Sequence, residues 1–148
     1  MKTIISVYWN SVLHRHDVGS VVDGASEITA WLSDDLPRGN NSITYWLDKF
    51  NAIATSEIEA GYLGTGNAHH VRAIGGFVFL ECQFDDEMKV LLTHEQIISV
   101  LQNYRVFVSD DCGDPAHMPP PFEVEYEASG EEALDRYLEA GGKLGHVG

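Results

Sequence analysis

The middle of the chain holds two apolar, β-like runs separated by only two glycines, and this pattern constrains the fold more than any other. Residues 71–74 and 77–84 flank the Gly-Gly pair, a spacing typical of a β-hairpin. An acidic turn is predicted at 85–87 and a third strand at 88–92. Strands joined this closely pair antiparallel, because a parallel pair needs a long crossover connection. The segment therefore predicts an antiparallel sheet.

The region before this sheet segment predicts one strand and two helices. Residues 4–9 are mostly β-branched or aromatic and read as a first strand. Apolar residues at helical spacing predict a helix around 28–32 and a second one over about 42–56. Because the second run is rich in aromatic residues, a strand at 42–47 stays open as an alternative.

The region after it predicts two more helices with recognisable ends. Capping boxes begin at Thr93 and at Ser129, where each hydroxyl precedes a Gln or Glu by three residues. Residues 106–108 either end the first of these helices or begin another strand. Gly141 and Gly142 end the second, as glycine commonly does.

A proline-rich break and an alternating strand complete the pattern. Residues 110–121 contain four of the five prolines and predict a surface loop. Residues 122–127 alternate strictly between apolar side chains and carboxylates, as in a half-buried strand. Together the elements predict an α+β fold, a mainly antiparallel sheet packed with three to four helices. We expect a single domain over 1–148 with a frayed tail at about 143–148.

The charge of the chain restricts its partners. The chain has nine Lys and Arg residues and 23 Asp and Glu residues, so the net charge is −14 and the pI is about 4.6. Nucleic acids and anionic membranes would be repelled by such a chain, whereas a basic protein would be attracted. Without a signal-peptide core or a run of 18 apolar residues, the expected location is the cytoplasm.

Motifs for catalysis or metal binding are weak. His14 and His16 could share one face of a strand and bind zinc, but no third ligand follows at a familiar spacing. Cys82 lies in an apolar strand, and Cys112 lies among carboxylates that disfavour its thiolate. We therefore predict no catalytic residue, metal or cofactor, although a small metal- or Cys-dependent enzyme stays open as an alternative.

Residues 110–139 concentrate the negative charge. They contain ten acids opposed only by Arg136, so they carry −9 of the −14. On the predicted strand, Glu123, Glu125 and Glu127 would project from one face about 6.5–7 Å apart. Such crowding of like charges is either a solvated acidic face or a surface whose repulsion a cationic partner relieves. The predicted partner-binding residues are Asp110, Asp111, Glu123, Glu125, Tyr126, Glu127, Glu131 and Asp135, with Tyr126 as an aromatic anchor.

The length, the acidity and three segments (residues 4–9, 91–98, and 122–126 with 131–141) resemble the small acidic immunity proteins of bacterial contact-dependent growth inhibition and other polymorphic toxin systems. These segments cover less than half of the chain. The resemblance implies a non-enzymatic protein that binds and neutralises a cognate basic toxin domain, expected to be a nuclease. An oligomeric adaptor subunit is a further alternative, and the oligomeric state is left open.

Overall fold

The computed structural model describes residues 2–10, 15–20, 28, 31–32, 40–55, 61–65, 69–83, 89–109 and 122–142. The strands are β1 (Lys2–Asn10), β2 (Arg15–Ser20), β3 (Gly61–Thr65), β4 (His69–Ile74), β5 (Phe77–Cys82), β6 (Lys89–Thr93), β7 (Phe122–Glu125) and β8 (Ala128–Ser129). The helices are α1 (Asn40–Ala54), α2 (His94–Ser109) and α3 (Gly130–Glu139). Ile28, Trp31 and Leu32 are helical as well.

The strands form two antiparallel sheets, so the predicted α+β class is confirmed. One sheet has three strands in the order β2-β1-β7, and the other has five in the order β3-β4-β5-β6-β8. The predicted hairpin is β4–β5, which closes with Ile74 opposite Phe77. Gly75 adopts a φ of +56° in the connecting turn, a conformation that glycine tolerates at no steric cost. The predicted third strand is β6, beside β5.

The five-stranded sheet has helices on both faces. In β5, Val78 and Leu80 belong to the large core that also contains residues of α1 and α2. Phe79, between them, points to the opposite face and stacks on Tyr137 of α3 with ring centroids 4.5 Å apart. Both faces of β5 are apolar because each packs against its own helix layer. The sequence of the strand is for this reason a continuous hydrophobic run.

The helix predicted over 42–56 is confirmed as α1, and the alternative of a strand at 42–47 is wrong. Ile43, Leu47 and Phe50 are buried on one face of α1, which is the periodicity of an amphipathic helix. The open choice at 106–108 is settled by α2, which continues through these residues to Ser109. The residues predicted as helical at 28, 31 and 32 are helical and fully buried.

Helix α3 confirms its predicted end but not its predicted capping box. Ser129 makes no side-chain hydrogen bond to the first turn, so the box is not formed. At the other end, Gly141 has a φ of +99°. The Gly141 N–H donates to the Leu138 carbonyl, and the Gly142 N–H donates to the Tyr137 carbonyl, both at 3.0 Å. These two bonds define a Schellman motif.

Residues 122–129 connect the two sheets, because β7 pairs with β1 and β8 pairs with β6. Between them the chain bends at Tyr126 and Glu127. The Glu127 N–H donates to the Leu91 carbonyl at 2.8 Å, which fixes the bend to the central sheet. β7 consequently lies beside the beginning of α2.

Several expectations concern residues outside the described part of the chain, namely the turn at 85–87, the loop at 110–121 and the tail at 143–148.

Strands β2, β3 and β8 were not predicted, since their sequences lack a clear alternation. Among the described residues, no helix combines the length and apolar character needed to cross a lipid bilayer.

Candidate functional site

An open groove of about 310 Å³ lies between the first half of α2 and strand β7. Its lining combines carboxylates and small polar groups with two aliphatic side chains at the base. The lining residues are Glu95, Gln96, Ser99, Val100, Glu123, Val124 and Glu125. We call this feature the acidic groove.

Strand β7 supplies one wall of the acidic groove by simple alternation. Val124 is 2% exposed and belongs to the large core, whereas Glu123 and Glu125 are exposed. This confirms the predicted alternation at these three positions. The pairing of β7 with β1 places Ile4 opposite Glu123 and Lys2 opposite Glu125.

The first turns of α2 supply the other wall. The predicted capping box at Thr93 is formed: the Thr93 N–H donates to Gln96 Oε1 at 2.9 Å, and the Gln96 N–H donates to Thr93 Oγ1 at 3.1 Å. This reciprocal pair fixes the start of the helix. Glu95 and Ser99 follow, both exposed and one turn apart, so they face the groove together.

Glu127 does not continue the row of carboxylates on β7, because the strand ends at Glu125. Gln96 Nε2 donates to Glu127 Oε1 at 3.1 Å. Arg136 Nη1 donates to the Glu127 backbone carbonyl at 3.2 Å, and Arg136 Nη2 lies 3.7 Å from Glu127 Oε2. Glu127 is therefore engaged by α2 and α3 within the molecule.

The predicted aromatic anchor needs correction. Tyr126 is 2% exposed and packs in the large core together with Val124, on the buried face of the alternating segment. Two further aromatic residues, Tyr137 and Trp46, are also buried. By contrast, Tyr45 is 53% exposed, and Lys49 Nζ donates to its hydroxyl at 2.7 Å.

Two of the remaining predicted residues lie away from the acidic groove, and two lie outside the described part of the chain. Glu131 and Asp135 are exposed on α3, the helix that covers the opposite face of the five-stranded sheet. Asp110 and Asp111 lie outside the described residues. Of the eight predicted residues, the structure thus brings together Glu123 and Glu125 in the groove, with Glu127 beside it.

Sequence reasoning missed the α2 wall of the groove. Glu95 and Ser99 carry one usable signal, since their spacing of four places them on the same helix face, away from the buried Ile97 and Leu101. Their position opposite β7 depends on a contact between segments about thirty residues apart. None of the groove-lining residues is basic, and three of the seven are carboxylates.

Candidate groups for the enzymatic alternative lie elsewhere. Within the described residues, no group of three His, Cys, Asp or Glu side chains is placed to hold a metal ion. Cys82 is opposite His69 in the register of β4 and β5. Cys82 is 8% and His69 is 1% exposed, so both are enclosed on the core side of the sheet and a substrate has no direct access to the thiol.

No protein-family model matches the chain, and neither does any curated protein or solved structure compared with it.

Proposed function

We propose that this chain is a bacterial immunity protein that acts in the cytoplasm and neutralises a basic toxin domain by binding it through the acidic groove. One observation carries the proposal: Glu95 of α2 joins Glu123 and Glu125 of β7 around a single open groove. The chain thereby presents three exposed carboxylates from two separate elements, and its net charge as a whole is −14.

Electrostatics favours a cationic partner for this surface. Carboxylates held close together repel each other, and a bound cation relieves that repulsion. A strongly charged surface also steers an oppositely charged protein and can raise association rates to about 10⁸–10⁹ M⁻¹s⁻¹ at low salt. The resemblance to acidic immunity proteins supports the same choice of partner.

A nuclease toxin fits the charge of the groove better than most enzymes would. Nucleases bind phosphate backbones through Lys and Arg side chains, so their substrate site is a basic surface. An acidic protein that occupies that surface would compete with the nucleic acid. The proposed complex is therefore a masking complex, held together by carboxylate–guanidinium and carboxylate–ammonium pairs.

The first experiment identifies the partner. The chain, immobilised through its carboxyl terminus, is exposed to a lysate of the source cells at low salt, and bound proteins are identified by mass spectrometry. We expect one stoichiometric basic protein that elutes as salt increases. Recovery of a stoichiometric acidic partner, or of one whose binding is insensitive to salt, would contradict the proposal.

The second experiment tests the acidic groove with charge-matched variants. Glu123→Lys combined with Glu125→Lys should slow association with that partner by about tenfold or more. Glu132→Lys combined with Glu139→Lys changes the net charge equally but alters exposed residues of α3 outside the groove. Equal slowing by both pairs would assign binding to overall charge and refute a role for the groove.

A further inference from the structure

Arg136 is the only Lys or Arg residue within 110–139, and it contacts Glu127. Its Nη1 donates to the Glu127 backbone carbonyl at 3.2 Å, and its Nη2 approaches the Glu127 carboxylate at 3.7 Å. The guanidinium carbon also lies 5.8 Å from the centroid of the Phe77 ring. Arg136 thus connects α3 to the bend that follows β7.

The connection continues into the acidic groove. Glu127 Oε1 accepts a hydrogen bond from Gln96 Nε2 at 3.1 Å, and Gln96 lines the groove. The same Gln96 side chain completes the capping box with Thr93. A chain of contacts therefore runs from α3, through the bend that follows β7, to the first turn of α2.

We infer that Arg136 is a positioning residue for the acidic groove, acting through Glu127 and Gln96. It holds the bend so that the carboxylates of β7 and the first turn of α2 stay at a fixed separation. Glu127, in this arrangement, belongs to the support of the groove and not to its contact surface. The inference rests on the proposed function, since it assigns a role within the same binding surface.

This role has a signature that charge alone cannot produce. Arg136→Met removes a positive charge beside the acidic groove and makes the net charge −15. Pure electrostatics then predicts tighter binding of a cation. Positioning predicts weaker binding, because the walls are no longer held in the geometry that the cation requires. The two explanations differ in sign, and the methionine retains an aliphatic stem against Phe77.

The probe is a fluorescently labelled deca-arginine peptide, with affinity measured by anisotropy at about 0.1 M salt, where screening limits long-range effects. We expect Arg136→Met to weaken binding about three- to tenfold, because one hydrogen bond and one ion-pair contact that hold the bend are lost. Arg136→Lys keeps the charge but not the planar fork of donors, so its loss should be intermediate. Arg105→Met, which removes a positive charge from α2 outside the groove, should bind no more weakly than the unaltered chain.

A second pair of variants tests the intermediate link. Glu127→Ala and Glu127→Gln remove the same charge, but only the amide oxygen of Gln still accepts a hydrogen bond from Gln96. Positioning predicts that Glu127→Gln recovers most of the affinity that Glu127→Ala loses. Equal losses would make Glu127 a direct contact and overturn the assignment.

Hydrogen exchange separates failure of this inference from failure of the proposed function. The Glu127 amide donates to Leu91, so its exchange rate reports the bend directly. Faster exchange together with weaker peptide binding in Arg136→Met supports the inference. Unchanged exchange, or unchanged or tighter binding, overturns it. Absence of saturable peptide binding by the unaltered chain would instead overturn the proposed function, and the positioning role with it.

Discussion

At the scale of single residues, His94 is a titratable group whose surroundings disfavour its charged form. It begins α2, and its Nε2 atom is buried without a hydrogen-bond partner. Burial lowers the pKa of His94 below its ordinary value of 6.5, and a hydrogen bond to the Phe77 backbone offsets part of this effect. The folded chain therefore resists protonation at this site more than the unfolded chain does.

This pKa difference gives a prediction with a definite sign. Because the folded pKa lies below 6.5, the unfolded chain binds the proton first as pH falls, and the free energy of unfolding decreases from pH 6.5 down to the folded pKa. His94→Gln cannot titrate, so it should lose less stability than the unaltered chain between about pH 7.5 and about pH 5.5. Urea denaturation at both pH values measures the difference. Equal losses in the two proteins would show that His94 does not contribute.

At the scale of secondary-structure elements, the end of α3 depends on a close contact. A Cβ atom added to Gly142 would lie 2.4 Å from the ring of Tyr137, which is fully enclosed and stacked on Phe79. Because that ring has no room to move, we expect Gly142→Ala to lower the free energy of unfolding by about 1–3 kcal/mol, as overpacking of a core commonly does.

The matched control for this prediction is Gly76→Ala in the β4–β5 turn, where an added Cβ would meet nothing within 4 Å. It should change stability by less than about 0.5 kcal/mol. Thermal and urea unfolding of the two variants, followed by circular dichroism, make the comparison. Similar stability of both would mean that the chain after α3 can shift away from Tyr137.

The elements also show which features the sequence could predict. The β4–β5 hairpin and the Thr93 capping box were predictable because their determining residues are neighbours in the chain. The alternation at 122–127 correctly predicted exposed Glu123 and Glu125 and buried Val124 and Tyr126. It failed at Glu127, because the strand ends at Glu125 and the chain then bends. Local periodicity cannot indicate where one strand leaves a sheet and joins another.

Only one wall of the acidic groove could be predicted, because the other depends on contacts between segments far apart in the chain. Its β7 wall follows from alternation, whereas its α2 wall depends on the packing of a helix against a strand about thirty residues later in the chain. The Gln96–Glu127 hydrogen bond joins residues 31 positions apart. Gln96 was expected only to cap its helix, and its second contact needed the three-dimensional arrangement.

At the scale of the whole molecule, the net charge of −14 has opposite consequences for folding and for binding. Like charges repel in the compact state and reduce its stability, whereas the same charges attract a basic partner. Dissolved salt screens both effects, because the Debye length shortens from about 30 Å at 0.01 M to about 10 Å at 0.1 M. Salt should therefore stabilise the free chain and weaken the proposed complex.

The opposite effects of salt on stability and on affinity can be measured together. Between about 0.01 M and 0.2 M sodium chloride, the melting temperature of the isolated chain should rise while partner affinity falls. The Glu132→Lys and Glu139→Lys pair reduces the net charge to −10, since each reversal adds two charges to −14, and its melting temperature should respond less to salt. Differential scanning calorimetry and titration calorimetry measure the two quantities on the same samples. A melting temperature that falls with salt would show that attractive charge pairs outweigh the repulsion among the 23 acids, and the groove carboxylates would then need no cationic partner to relieve them.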